Sequence, residues 1–294
     1  MIIYAFIVTY NRLDLLKKTI ACLQHQSHPI DKLFIVNNGS TDGTAEWLSA
    51  QPDLQVIHQQ NIGGAGGFST GVQHAYMEGA DWIWMMDDDV FPAPDCLETL
   101  LKYSNRSLCL HPARYYSDDV YVPWGYQYDI RKDKETKISP ENFGKEIFSV
   151  NVGCFEGMLI HRSIIDKIGF PDKRFFITSD DRIYGYLASL HTDVTLVRDA
   201  KLKRQALSYE TKNNPMYTYY VIRNFHLRNE YCRRLSGDKG FTFWTKVRFA
   251  LGLLKSYTYR YSHLEKPLRQ KMRKAVRKGT IDCLKKKTGN TFAI

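Results

Sequence analysis

The stretch Trp82-Ile83-Trp84-Met85-Met86-Asp87-Asp88-Asp89 joins five consecutive apolar residues to three carboxylates. A continuous apolar run of that length reads as a strand buried on both faces, as in a parallel sheet covered by helices. Upstream of it, strand-like and helix-like segments alternate: Ile2 to Val8, Leu13 to Gln24 with helical apolar spacing, Lys32 to Val36, a short helix Ala45 to Ala50, Leu54 to His58, and a helix from about Thr70 to Gly79. Such alternation builds parallel strands joined by crossover helices. Downstream, Pro92 and Pro94 precede a helix over Cys96 to Tyr103. A strand at Gly157 to His161, a helix at Ser163 to Ile168 and a loop from Gly169 to Asp181 follow. The aromatic, turn-rich stretch His111 to Phe148 has no assignable period.

In open α/β sheets ligands gather outside the carboxyl ends of the strands, so Asp87, Asp88 and Asp89 should emerge at a site. Three adjacent carboxylates repel one another. A hard divalent cation, Mg²⁺ or Mn²⁺, held by one or two of them together with a substrate diphosphate, relieves that repulsion. The plainer reading is a solvated acidic turn or a cap for the next helix. Two more apolar strands end in polar clusters, VTYNR (Val8 to Arg12) and VNNGSTDGT (Val36 to Thr44). NIGGAGGF (Asn61 to Phe68) then sets four glycines between a strand and a helix, where backbone amides can approach an anion. It is neither a Walker loop nor a dinucleotide fingerprint. Taken alone it reads as a tight turn, but three polar strand ends and a glycine loop on one sheet edge make a pocket.

Charge is divided unevenly along the 294 residues. The whole chain carries a formal +10, yet residues 201 to 294 hold 23 Lys and Arg against 5 Asp and Glu, leaving residues 1 to 200 net acidic. This argues against a uniformly basic nucleic-acid binder and for an acidic body with a basic adaptor. The six cysteines contain no CxxC pair and read as buried thiols of a reducing compartment. Asn11 and Arg12 interrupt the apolar opening too early for a signal peptide. Lys246, Arg248 and Lys255 interrupt the longest candidate span, Phe241 to Tyr257.

Taken in order over roughly two hundred residues, VTYNR, VNNGSTDGT, the N-x-GG-x-GGF loop, the strand-terminal DDD, IGF-x-D-x-RFF (Ile168 to Phe176) and the Asp180-Asp181 pair resemble the family 2 glycosyltransferases of GT-A fold. These are inverting enzymes that use nucleotide-sugar donors. Within the family, the doubled-glycine loop and DDD most resemble bacterial galactofuranosyltransferases of cell-surface polysaccharide synthesis, with rhamnosyltransferases next. YYVIRN (Tyr219 to Asn224) and IDCLKKKTG (Ile281 to Gly289) are similar to tails in these branches.

The resemblance implies a GT-A catalytic domain over residues 1–210, with a mostly parallel central sheet, and a helical basic extension over residues 211–294. It implies Thr9, Tyr10, Arg12 and Asn38 lining the nucleotide site, Asn38 standing where the family usually has an acidic residue. Asn61, Gly63 and Gly64 would shape the pocket beside sugar and diphosphate. Asp87 and Asp89 would hold Mn²⁺ or Mg²⁺, Asp88 would face the donor, and Asp181 would be the general base with Asp180 as its acceptor-side neighbour. Arg204 stands near where a metal-ligating histidine is expected. Either it contacts the diphosphate, or a histidine such as His191 or His226 reaches the metal. An inverting transfer needs a carboxylate apart from the metal pair to take the acceptor proton, which suits Asp181; capping the segment Arg182 to Ser189 is the alternative.

The implied donor is UDP-galactofuranose, with dTDP-rhamnose and UDP-galactopyranose as alternatives, and the acceptor a lipid-linked or polysaccharide glycan. The basic, aromatic end suits an anionic membrane surface, at the inner face of the cytoplasmic membrane. Alternatively its aromatics pack against the body or a second subunit. Non-catalytic carbohydrate binding or nucleic-acid binding would be functions of another class; no nucleic-acid fold signature is present.

Overall fold

The computed structural model describes residues 1–116, 125–139, 144–205, 213–237 and 239–292. Its strands are β1 (Ile3–Thr9), β2 (Lys32–Asn37), β3 (Gln55–His58), β4 (Trp82–Asp87), β5 (Val90–Pro92), β6 (Cys109–Tyr115), β7 (Tyr126–Asp129), β8 (Lys134–Lys137), β9 (Ile147–Val150), β10 (Leu159–His161) and β11 (Val194–Arg204). The helices are α1 (Leu13–Gln24), α2 (Thr44–Ser49), α3 (Gly63–Met77), α4 (Cys96–Leu101), α5 (Arg162–Ile168), α6 (Asp180–Ser189), α7 (Pro215–Arg223), α8 (Phe225–Leu235), α9 (Phe243–Lys255) and α10 (Lys266–Leu284). The chain divides into two compact units. The first comprises residues 1–127, 136–173 and 181–206; the second comprises 128–135, 174–180 and 207–294. The expected break at 210/211 lies outside the described residues.

In the first unit the sheet runs β3-β2-β1-β4-β10-β6-β11-β5, with β9 also pairing β11. β1, β2, β3 and β4 are mutually parallel where they pair, and β11 is parallel to β6. β10 is antiparallel to both β4 and β6. This inversion matters for function. It brings the residues just before β10 to the same edge as the carboxyl ends of β1, β2, β4, β6 and β11. Trp82 to Met86 are buried, as the apolar run predicts.

The expected glycine loop is a helix. α3 begins at Gly63 and not near Thr70. Glycine is a poor helix former, but packing overrides propensity here. A Cβ on Gly67 would meet Val8 Cγ1 at 2.4 Å, and one on Gly71 would meet the Phe6 ring at 2.2 Å. These glycines let α3 lie directly on β1. Gly63 takes a left-handed φ of 80°, and a Cβ on Gly64 would meet nothing within 4 Å. Of the four, Gly64 is the one with open space beside it. The unassigned stretch His111 to Phe148 contributes β6 to β9 within its described residues.

In the second unit α7 and α10 pack through Tyr219, Tyr220, Met272, Ala275 and Val276. Asp282 is buried at its far end, where the Tyr219 hydroxyl (2.6 Å), Lys278 Nζ (2.6 Å) and Lys287 Nζ (3.1 Å) converge on it. No described helix is long and apolar enough to cross a membrane. All six cysteines are free, four of them buried.

The packing of α3 on β1 makes a direct prediction. Gly71→Ala should lower unfolding free energy by about 1–3 kcal/mol, the usual cost of overpacking a filled core, whereas Gly64→Ala should leave it within about 0.5 kcal/mol. Urea denaturation of both variants checks this; equal stabilities would contradict the packing argument.

Candidate active site

The site grows from the ends of β1 and β4. Asp88 is buried, and its carboxylate accepts from the Thr9 hydroxyl (2.8 Å), the Tyr10 amide (3.4 Å) and Arg12 Nη1 (3.2 Å). Arg12 Nη1 also reaches Asp89 Oδ2 at 2.9 Å. Burial opposes the charge on Arg12, but Asp88, Asp89 and Asp87 outweigh it and hold the guanidinium protonated. Both Asp88 oxygens are thus engaged by the β1 end, so the residue expected to face the donor acts here as the tie between two strand ends. Tyr10, next to Thr9, is exposed at the rim.

The β2 end joins the same edge. The Asn38 amide donates to Thr9 O (2.9 Å). Its side chain, buried, donates to Gly63 O (3.0 Å) and accepts from Gln59 Nε2 (2.8 Å) and the Ile62 amide (3.3 Å). Asn61 Oδ1 accepts from the Gly63 amide (2.9 Å) and so caps α3. An aspartate at position 38 could accept but not donate, and the Gly63 carbonyl would lose this side-chain donor.

Sequence reasoning missed the centre of the edge. Glu156, just ahead of β10, is buried and pairs with Arg114 Nη1 at 2.7 Å and Arg204 Nη2 at 3.0 Å. Arg114 lies near the end of β6 and Arg204 at the end of β11, whose register sets Arg204 opposite Val90. The Gln205 amide donates to Asp89 O (3.0 Å), closing the ring of strand ends. The available signal was a glutamate in an apolar, glycine-flanked run, Gly153-Cys154-Phe155-Glu156-Gly157, directly before a buried strand.

Burial first, then the charges of Glu156, Asp89 and Asp88, hold the Asp87 carboxyl well above its ordinary range, with Arg204 opposing. Asp181 is also raised, chiefly by burial and then by Glu156, against Arg182 and Arg114. Its helix, α6, is seated tightly: a Cβ on Gly185 would meet Gly153 N at 1.8 Å. Asp180 is buried in the second unit. His191 is exposed, and His226 Nε2 lies 2.9 Å from Lys287 O. Arg204 lies at this edge, paired with Glu156.

Among the described residues no three His, Cys, Asp or Glu side chains are gathered as a metal cage. The donor set nonetheless suits Mg²⁺ or Mn²⁺, since Asp87 and Asp89 offer hard oxygens at a crowded negative edge, and such ions take most remaining positions from phosphate and water.

Known proteins resemble this chain in sequence and in fold. The family model described as Glycosyl transferase family 2 matches residues 4–169. Galactofuranosyltransferase GlfT1 of Mycolicibacterium smegmatis is 30% identical over 192 residues, 61% of this chain and 63% of that protein. Galactofuranosyltransferase GlfT1 of Mycobacterium tuberculosis is 33% identical over 194 residues, 61% and 62% of the two chains. The match thus spans under two thirds of these relatives. Among solved structures, GalNAc-T7 with UDP, GalNAc and Mn²⁺ superposes with a TM-score of 0.60 at 13% identity, covering 90% of this chain and 58% of that one. That likeness shows the α/β GT-A-like fold.

The double ion pair at Glu156 is open to test. Glu156→Gln leaves two guanidinium groups facing a neutral amide and should cost about 3 kcal/mol of unfolding free energy, measured by urea denaturation. Wild-type stability would show the pairs to be dispensable.

Proposed function

The chain belongs to glycosyl transferase family 2, and on that premise we propose that it is a metal-dependent inverting transferase moving a sugar from a nucleotide-sugar donor to a glycan hydroxyl. One observation carries the reading. A single sheet edge combines a hard carboxylate pair (Asp87, Asp89), two arginines suited to a diphosphate (Arg12, Arg204), and a separate half-buried carboxylate with a raised pKa (Asp181).

The chemistry follows from that separation. Asp181 takes the proton from the acceptor hydroxyl as its oxygen bonds to the anomeric carbon and the bond to the diphosphate breaks on the opposite side. A carboxyl with a raised pKa is the better proton acceptor, provided it is ionised at working pH. Arg204 and Arg12 offer fixed positive charge to the departing diphosphate. Bound Mg²⁺ or Mn²⁺ would neutralise part of the same developing charge. Thr9, Tyr10, Asn38 and Asn61 line the nucleotide side, and the start of α3 offers the open Gly64 amide. Asp180 flanks the base on the acceptor side.

Similarity to the mycobacterial galactofuranosyltransferases supports UDP-galactofuranose as donor. A screen of UDP-galactofuranose, UDP-galactopyranose and dTDP-rhamnose with Mn²⁺ or Mg²⁺ tests this through release of nucleoside diphosphate. The expected result is release from UDP-galactofuranose, abolished by chelator; turnover of only another donor would replace that assignment. Asp181→Asn should retain UDP binding while transfer falls at least about 1,000-fold. In the wild type, kcat/KM should fall toward acid through an apparent pKa above the ordinary aspartate value, because protonated Asp181 cannot accept. In Glu156→Gln this limb should move to lower pH, since the lost negative charge was raising Asp181. Wild-type turnover by Asp181→Asn would remove the base.

A lipid-linked or polysaccharide acceptor at an anionic membrane surface completes the proposal, and α9 supports it. Its inner side packs through Thr245, Leu253 and Phe249, the last stacked on Phe225 at 3.7 Å. Its other side exposes Phe243, Trp244, Leu251 and Leu254, followed by Tyr257 and Tyr259. Residues 239–264 carry five Lys and Arg and no Asp or Glu. An apolar stripe with cations and no anions suits a helix lying in an anionic headgroup layer. The full chain should sediment with phosphatidylglycerol vesicles and not with phosphatidylcholine. Trp244→Ser with Leu254→Ser, and separately Lys246→Glu with Lys255→Glu, should each weaken this at least about tenfold. Variants that sediment like wild type would refute the face.

A further inference from the structure

Three residues lacking glycine's freedom occupy left-handed backbone within four positions: Phe176 (φ 65°), Thr178 (φ 70°) and Ser179 (φ 69°). Such residues persist only where their surroundings hold them, and they concentrate at functional sites. What holds this segment is the junction of α7 and α8. Asn224, fully buried, donates through Nδ2 to the carbonyls of Ile177 (2.9 Å), Thr178 (3.1 Å) and Phe175 (3.2 Å). Arg223, also fully buried, donates through Nη1 to Arg174 O (2.9 Å) and Lys287 O (3.1 Å), and through Nη2 to Phe175 O (2.9 Å) and Gly289 O (3.0 Å). The Phe176 ring stacks on Tyr220 at 4.9 Å.

Stability alone gives little reason for this arrangement. A buried guanidinium with no carboxylate at ion-pair distance among the described residues is costly to desolvate, and an apolar side chain would fill the space without that cost. The fork of Arg223 does what an apolar residue cannot: it fixes four carbonyls in set directions. The strained run passes straight into Asp180 and Asp181 at the start of α6.

We propose that Arg223 and Asn224 are positioning residues for the transfer reaction, clasping residues 174–179, with Phe176, Thr178 and Ser179 left-handed, and thereby fixing how Asp181 is presented to the acceptor. The proposal rests on Asp181 being the general base.

The test uses the purified full chain, donor and acceptor, with UDP plus Mn²⁺ as the binding probe. Asn224→Asp keeps the shape but aims an acceptor at three carbonyls, Asn224→Ser is a milder deletion of the amide, and Arg223→Lys keeps charge without the fork. Transfer kcat should fall at least about 100-fold in Asn224→Asp and about tenfold in the other two, as expected when a reacting group is misplaced by an ångström. Donor KM and UDP affinity should stay within about threefold, because residues 1–90 supply most of the donor-side groups. If Asp181→Asn is dead but these variants turn over normally, the clasp is refuted and the base stands. If Asp181→Asn is active, both fall. A parallel loss of UDP affinity and kcat would assign the clasp to folding alone and overturn the proposal.

Discussion

Asp87, Asp88, Asp89, Glu156 and Asp181 share one sheet edge, and Arg12, Arg114 and Arg204 are interleaved among them. Like charges this close are mutually destabilising, so each carboxylate must be matched by a cation, a hydrogen bond or a proton. The two arginine bridges do this at different depths. Arg12 spans Asp88 and Asp89 at the solvent side, while Glu156 takes both Arg114 and Arg204 inside. The ends of β1 and β4 are tied through the first bridge, those of β6 and β11 through the second, and β2 joins by the Asn38 amide to Thr9 O. A register shift of β1, β6 or β11 would break one of these pairs, which holds the strand ends around the carboxylates in place.

Much of the architecture was legible from periodicity. The run Trp82 to Met86 could only be a two-sided buried strand, and the alternation before it allowed few arrangements besides parallel β1 to β4. The start of α3 was not legible, because four glycines in five positions look like a loop unless Ile62 and Val8 are known to crowd Gly66 and Gly67. The β7–β8 hairpin was illegible for another reason: its short strands have no alternating burial. Residues 174–180 also resisted reading, since their conformation is imposed by Arg223 and Asn224 far along the chain.

The site was legible where it coincides with strand ends in sequence order. Thr9, Arg12, Asn38 and Asp87 to Asp89 follow apolar runs and could be found that way. Glu156 and Arg114 could not, because what places them is the inversion of β10, a topological fact no local pattern carries. Asn38 in place of the family's usual acidic residue also has a physical reason: an amide is needed where one side chain must both donate to Gly63 and accept from Gln59. The aromatics of the basic end divide between two expectations, Tyr219, Tyr220 and Phe249 packing inward while Phe243 and Trp244 face outward.

The fork of Arg223 joins three stretches distant in sequence: 174–175, the α7 end itself, and 287–289. That makes the basic end something other than an exchangeable module. In a chimera whose tail came from a relative, the new carbonyl ends would have to meet the resident guanidinium in register, or the run before Asp181 would relax. These three stretches should therefore travel together through divergence, and grafting an acceptor preference from one relative to another would require moving all of them at once.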